Sequence, residues 1–379
     1  MSLALKWVAG ATLVMAAAMG IGRFAYTPLL PQMVSELGWD FTAAGDLASA
    51  NFLGYMLGAL LAPPLLRSRH VRFYLGLSLM ASVGTTYLGA EVTDYFAWLL
   101  VRLLSGVASA FCLVLVTTQL MFVLAAERRE AFGNVHIAGV GVGIIVCMLA
   151  VFIPADVEGQ WSRLGGLSAV IMALAWFLMS SEDWQSPQTV TEAGGDHRRL
   201  AGIWRLIAGY GLFGFGYVVA ATFVVAIAAD VERLPVDPRS VWLVVGIAFV
   251  PSVYLWQWAA NRWGLIETLR LAYVVEAVGV VTAGLGLGLT TLVAACVLLG
   301  GTFGAITALG LSAARDAAPH NVAGAVSAMT AAFALGQWIG PAVAGRMADH
   351  FGDFVVASLV AGALLLVAAG LLASAKRPS

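Results

Sequence analysis

An arginine set inside an apolar run is the first feature of this chain that demands a chemical reason. Arg23 lies in the stretch Gly20-Ile21-Gly22-Arg23-Phe24-Ala25-Tyr26-Thr27-Pro28-Leu29-Leu30-Pro31, within a run from about Leu5 to Met33. A charge at that depth in hydrocarbon costs from roughly 2.5 to well above 10 kcal/mol, so an arginine there is read as functional by default. On an α-helix, Gly20, Arg23, Tyr26 and Thr27 are spaced i, i+3, i+6, i+7 and share one face. Pro28 and Pro31 lack amide protons and clash with the carbonyls of Phe24 and Thr27, so a kink is expected there. A broken helix with a buried charge is tolerated only against protein or a water-filled cavity. The plainer alternative is a kinked helix whose arginine snorkels to the headgroups.

A second intramembrane arginine opens another run. Arg102, Ser105, Gly106 and Ser109 share a face at i, i+3, i+4, i+7. If that span runs inward and the first runs outward, Arg23 and Arg102 lie at similar depth and can approach one cavity. Two guanidiniums facing water would bind a carboxylate, sulfonate or phosphate through forked hydrogen bonds. The alternative is that Arg102 binds backbone carbonyls or a partner carboxylate. Asn51 and Tyr55 share a face at i, i+4, and Tyr210, Phe213 and Tyr217 fall at i, i+3, i+7. Gln337 sits beside a proline kink and could supply a polar contact to ligand. The candidate substrate residues are therefore Arg23, Tyr26, Thr27, Asn51, Tyr55, Arg102, Tyr210, Tyr217 and Gln337. Glu276, the only carboxylate deep in a span, and His136 are candidates for carrying a proton. For both, a satisfied structural group is the competing reading.

Composition defines the elements that position these residues. The chain of 379 residues is 61% hydrophobic and only 11% charged, with a mean hydropathy of +0.90. Soluble domains carry about 25% charged residues, so this is a polytopic membrane protein. Twelve runs are long enough to span at about 20 residues each. They cover roughly 5–33, 44–66, 71–90, 95–125, 131–154, 161–180, 203–229, 240–262, 268–288, 291–314, 321–346 and 353–374. Residues 271–314 as one straight helix would be about 66 Å long, twice the hydrocarbon thickness. The glycines Gly284, Gly286 and Gly288 mark a turn that divides it. Lys6, an apolar run and Ala16-Ala17-Ala18 loosely resemble a cleavable leader, but the run continues past the alanines. Cys112, Cys147 and Cys296 fall in apolar runs and read as small buried hydrophobes, not as a metal site or disulfide framework.

With the N-terminus inside, 14 of the 20 Lys and Arg fall in cytoplasmic segments, four outside and two within spans. The positive-inside rule then makes both termini cytoplasmic. Residues 181–200 are the one long polar stretch and read as a cytoplasmic linker between an N-terminal bundle, 1–180, and a C-terminal bundle, 201–379. A shift of about 194 residues lays Gly20–Arg23 over Gly214–Tyr217, Gly106 over Gly300 and Arg102 over Cys296. Two homologous halves are expected, with the cationic site confined to the first.

Twelve spans in two halves, a central polar loop and Arg102-x-x-x-Gly106 in the fourth span resemble the major facilitator superfamily. The Gly20-to-Pro31 stretch looks like the opening signature of its poorly characterised YbfB/YjiJ-like branch. The resemblance implies an all-α fold of 12 transmembrane helices in two pseudo-symmetric six-helix bundles, with spans 1, 4, 7 and 10 lining the cavity. It places Glu276, on span 9, outside that cavity. The superfamily's Gly-x-x-x-Asp-Arg-x-Gly loop is degenerate here: Gly58 is followed by no aspartate, and Asn261-Arg262-Trp263-Gly264 carries asparagine in the acidic place. The Gly-Pro signature of drug–proton antiporters is missing from 131–154. A similar Gly336-to-Pro341 sequence sits in span 11.

The expected activity is secondary transport of a small organic solute, anionic to match the cationic site groups, by alternating access across a bacterial inner membrane. Protons or a counter-transported anion are the coupling partners expected, and the bilayer is the third partner; no cofactor, metal or nucleic acid is implied. An efflux pump for hydrophobic compounds is the alternative, followed by a non-transporting receptor. No His-Glu-x-x-His, nucleotide-binding glycine loop or intramembrane carboxylate pair supports an enzyme. A reporter fused after Ser379, or inserted near Gly194, is expected to read as cytoplasmic; a periplasmic signal at either place means a span was miscounted.

Overall fold

Apolar runs in a bilayer have no water to satisfy their backbone, so they fold as helices. In the computed structural model all twelve runs do so. The structure describes residues 2–66, 68–129, 132–179, 203–231, 234–319 and 321–373, and among these there is no strand. The linker expected at 181–200 lies outside the described residues. The helices are α1 Leu3–Leu37, α2 Phe41–Leu66, α3 Val71–Glu91, α4 Tyr95–Ala126, α5 Val135–Val151, α6 Val157–Leu178, α7 Trp204–Asp230, α8 Ser240–Trp263, α9 Leu265–Leu285, α10 Leu289–Ala317, α11 Val322–Phe351 and α12 Val355–Ala373.

Ten of these are long and apolar enough to cross a membrane; α5 is shorter and α3 more polar. The polarity of α3 comes partly from buried hydroxyls that bond back to their own helix. Ser78 donates to Tyr74 O at 2.7 Å, Thr85 to Ala81 O at 2.9 Å and Thr86 to Ser82 O at 2.8 Å. Each hydroxyl thereby satisfies itself locally, as such residues commonly do in helices. Helix starts are marked by side-chain caps: Asp94 accepts from Ala97 N, Asp156 from Gly159 N and Asn321 from Gly324 N. The α9–α10 turn falls where the glycines place it, with φ +54° at Gly286 and +118° at Gly288, backbone conformations that side-chain-bearing residues resist. The three cysteines are buried and unbridged.

The chain packs as two units, Met1–Trp39 with Ala50–Val190, and Asp40–Ser49 with Thr191–Ser379. In the first, α1 packs on α4, α5 and α6, and α3 on α4 and α6; in the second, α7 packs on α10, α11 and α12, and α9 on α10 and α12. Adding six to each helix number turns one pairing scheme into the other. The repeat also reaches single contacts. A Cβ on Gly106 would lie 2.0 Å from Asn51 O, where α4 crosses α2, and one on Gly300 would lie 2.3 Å from Val245 O, where α10 crosses α8. Both members of each pair are about 194 residues from their counterparts. Such backbone-on-backbone crossings need small residues, because packing rather than hydrophobicity holds helices together in lipid.

Gly106→Ala therefore forces α2 and α4 apart and lowers the melting temperature, a loss of roughly 1–3 kcal/mol by overpacking. Gly166→Ala is the control, since nothing lies within 4 Å of a Cβ at that position. Thermal unfolding in detergent of the two variants checks the difference.

Candidate functional site

The local fold of α1 sets the position of Arg23. An α-helix over Leu3–Met15 passes into a π-turn at Ala16–Ile21, and the α-helix resumes at Tyr26. Gly22 N bonds Ala17 O at 2.8 Å and Phe24 N bonds Met19 O at 3.1 Å, both i to i−5. The irregular backbone thus precedes the prolines, where the sequence pattern predicts a kink at them. Pro28 is the third residue of the resumed helix, in the first turn, where amide protons have no intrahelical acceptor. Its missing N–H therefore breaks no intrahelical bond. Phe24 O accepts from Thr27 N at 3.3 Å, and Gly22 O accepts from the Ser105 hydroxyl of α4 at 3.3 Å.

This backbone separates residues that one regular helix would align. Arg23 stacks on α2, its guanidinium carbon 4.4 Å from the centroid of the Phe52 ring and 4.2 Å from that of Tyr55. The Tyr26 ring serves Arg102 instead, at 4.6 Å. Both arginines are buried, at 4% and 3% exposure. Among the described residues neither forms an ion pair with a carboxylate. Stacking occupies the flat faces and leaves the edges. On Arg23 the Nε and Nη2 atoms, which form one edge of the guanidinium, have no hydrogen-bond partner; nor does Nε of Arg102. Asn51 donates from Nδ2 to Arg102 O at 3.1 Å, while its Oδ1 has no partner. Thr27 is buried on α1.

Phe52 is the residue that sequence reasoning missed. Its signal was available: Phe52 and Tyr55 lie at i, i+3 on α2, so two ring faces point the same way.

In the second unit the counterpart of Arg23 is Tyr217. Its ring lies flat on Phe303 at 5.4 Å and on Phe333 at 5.8 Å, and Gln337 donates from Nε2 to its hydroxyl. Gln337 Oε1 has no partner. The Tyr210 hydroxyl donates to Thr307 O at 3.1 Å and its ring stacks on Phe333 at 5.0 Å. The two tyrosines are thus walls of one aromatic stack. Glu276 is fully buried; its Oε2 accepts from the Thr302 hydroxyl, which also reaches Leu298 O at 2.6 Å, and its Oε1 has no partner.

His136 is held at both ring nitrogens, Nδ1 against Gly133 O at 2.8 Å and Nε2 against the Thr117 hydroxyl at 2.9 Å. A carbonyl can only accept, so Nδ1 carries a proton, while the Thr117 hydroxyl can either donate to or accept from Nε2. Both ring nitrogens are thus engaged by groups of the protein. Among the described residues no cluster of His, Cys, Asp and Glu could hold a metal.

A family model described as "Uncharacterised MFS-type transporter YbfB" matches residues 15–373. The fold is similar to the crystal structure of the nucleoside transporter NupG, with TM-score 0.77, 17% identity and 100% of both chains covered. The D323A mutant of NupG gives TM-score 0.76 and 15% identity over 99% of this chain and 100% of that one. No curated protein matches the chain by sequence.

The stacking makes a specific prediction. Phe52→Leu removes one ring face from Arg23 while keeping an apolar side chain, and destabilises the protein by about 1–2 kcal/mol. In an Arg23→Met background the same change should cost much less, as a double-mutant cycle on melting temperature would show. Equal costs in the two backgrounds mean that the ring contributes only volume.

Proposed function

We propose, for a chain that belongs to the major facilitator family of YbfB-type transporters, that the solute carried has an oxyanion group and that Arg23 is its principal ligand. The protein is a multi-span membrane protein with the fold of a secondary transporter. The observation that carries the proposal is the Arg23 edge: two donors, Nε and Nη2, buried without hydrogen-bond partners or a counter-charge among the described residues. Those two donors are parallel and match the spacing of carboxylate or phosphate oxygens. Leaving buried donors unsatisfied costs about 1–3 kcal/mol each, so a ligand that bonds them stabilises the protein. Arg102 adds a second positive charge, and Tyr26, Tyr55, Thr27 and Asn51 shape the site around the pair. Tyr210, Tyr217 and Gln337 are assigned as the polar candidates of the second unit by itself, a reading supported by their aromatic stack and by the Gln337–Tyr217 hydrogen bond.

Both termini are assigned to the cytoplasm of a bacterial cell, from the distribution of Lys and Arg. Coupling is assigned to exchange against a second anion or to protons carried by Glu276. NupG is named as a nucleoside transporter, so neutral nucleosides belong in any ligand panel beside organic anions.

Arg23→Lys tests the fork directly, because lysine keeps the charge and loses the planar edge. It should bind and transport almost as poorly as Arg23→Ala. Charge-assisted hydrogen bonds are worth roughly 1.5–3 kcal/mol, which is a loss of about ten- to a hundredfold in affinity. Arg102→Lys is milder if that residue only adds field, and equally severe if it shares the ligand. The measurements are proteoliposome uptake and ligand-induced thermal shift over a panel of carboxylates, phosphates, sulfonates and nucleosides. Normal transport by Arg23→Ala, or a stabilising panel made only of uncharged compounds, sinks the anion reading.

A further inference from the structure

The first unit contains a second place for a ligand, well separated in kind from the arginine pair. Helices α3 and α6 run antiparallel and touch closely at one end. There a Cβ on Gly89 would lie 2.8 Å from the Trp161 ring, and one on Gly165 would lie 2.9 Å from Tyr87 Cα. Toward the other end the helices part around a cavity of ≈ 510 Å³. Leu79 and Met172 form its buried floor, and Gly84, Ala169 and Ala173 its open, small-residue margin. Trp176 closes the far end, and the exposed Arg72 lies over its ring, guanidinium carbon 5.4 Å from the centroid. A second exposed arginine, Arg69, stands in the turn just before α3.

We propose that this groove holds one acyl chain of an anionic phospholipid whose phosphate sits on Arg72. The lining is apolar throughout, which suits a hydrocarbon chain and no polar solute. From Arg72 to Gly84 the helix rises about 18 Å, close to one leaflet of a hydrocarbon core about 30 Å thick. Arg72 lies in the first turn of α3 with its guanidinium over the Trp176 ring, and the Lys and Arg distribution assigns that helix end to the cytoplasmic headgroups. Phosphate is then met on the guanidinium edge, the geometry arginine uses for that group. The charge at the mouth selects the headgroup, and the gap between the helices selects the chain. Gly84 lines the groove and nothing lies within 4 Å of a Cβ at that position, so the backbone there has room for a side chain.

The test uses delipidated protein in detergent, titrated with phosphatidylglycerol or phosphatidylcholine and read by native mass spectrometry and by melting temperature. Wild type should retain phosphatidylglycerol at least tenfold more readily than phosphatidylcholine and melt several degrees higher with it. Arg72→Gln should abolish the preference while keeping weak binding of both lipids. Gly84→Leu should lose both, with its lipid-free melting temperature unchanged, whereas Gly166→Leu, an equal change where a Cβ is also uncontacted, should behave as wild type. Equal retention of the two lipids by wild type overturns the proposal, as does a Gly84→Leu variant that binds like Gly166→Leu. Inorganic phosphate that raises the melting temperature as far as phosphatidylglycerol also overturns it, because the chain would then contribute nothing.

Discussion

Two buried guanidinium groups with no carboxylate partner among the described residues are the constraint to which the first unit is built. A buried charge stripped of partners is among the costliest things a fold can contain, and pairing it with an acid is the usual remedy. Here the remedy is aromatic. Phe52 and Tyr55 give their ring faces to Arg23, and Tyr26 gives its face to Arg102. A ring quadrupole can stabilise a desolvated cation by about 2 kcal/mol, but it satisfies no N–H. The arrangement therefore holds the charge in place and leaves the hydrogen-bonding edge of Arg23 unmatched. A carboxylate in the same position would have consumed that edge.

The backbone near Arg23 follows from the same constraint. Lifting a long cation off the regular helical face needs extra length, and the π-turn at Ala16–Ile21 supplies it. Such single-turn bulges are frequent at functional sites. The carbonyl of Gly22 is met by the Ser105 hydroxyl from α4. Ser105 stands one turn along from Arg102, so the helix that carries the second arginine also repairs the backbone that presents the first.

The sequence spoke clearly about everything that depends on composition and period. Span number, the glycine turn at 284–288 and the two-fold repeat were all legible, because each is written redundantly over many residues. The repeat reached the atomic level, with Gly106 and Gly300 meeting backbone carbonyls at equivalent positions. What the sequence hid depends on a single residue of register. A π-turn leaves no mark in hydropathy, so Gly20, Arg23, Tyr26 and Thr27 looked like one face when the structure divides Arg23 and Tyr26 between different partners. The site's residue types were readable, but their pairing was not. The lack of a cationic counterpart in the second half was readable from the repeat, but not the bond between Gln337 and Tyr217 inside a stack of rings.

The π-turn has a further consequence, for the lineage rather than for the molecule. A π-turn is an α-helix with one residue added, so it is reversible by one deletion. Removing any one of residues 16–21 would restore a plain helix and rotate all that precedes it by about 100° relative to Arg23. The packing of Trp7 and Ala11 against their neighbours would then be exchanged for the placement of Arg23, and both could not be kept. Insertions and deletions are usually accommodated in loops. In this first span a single codon in mid-membrane separates a chain that presents a charged edge from one that hides it.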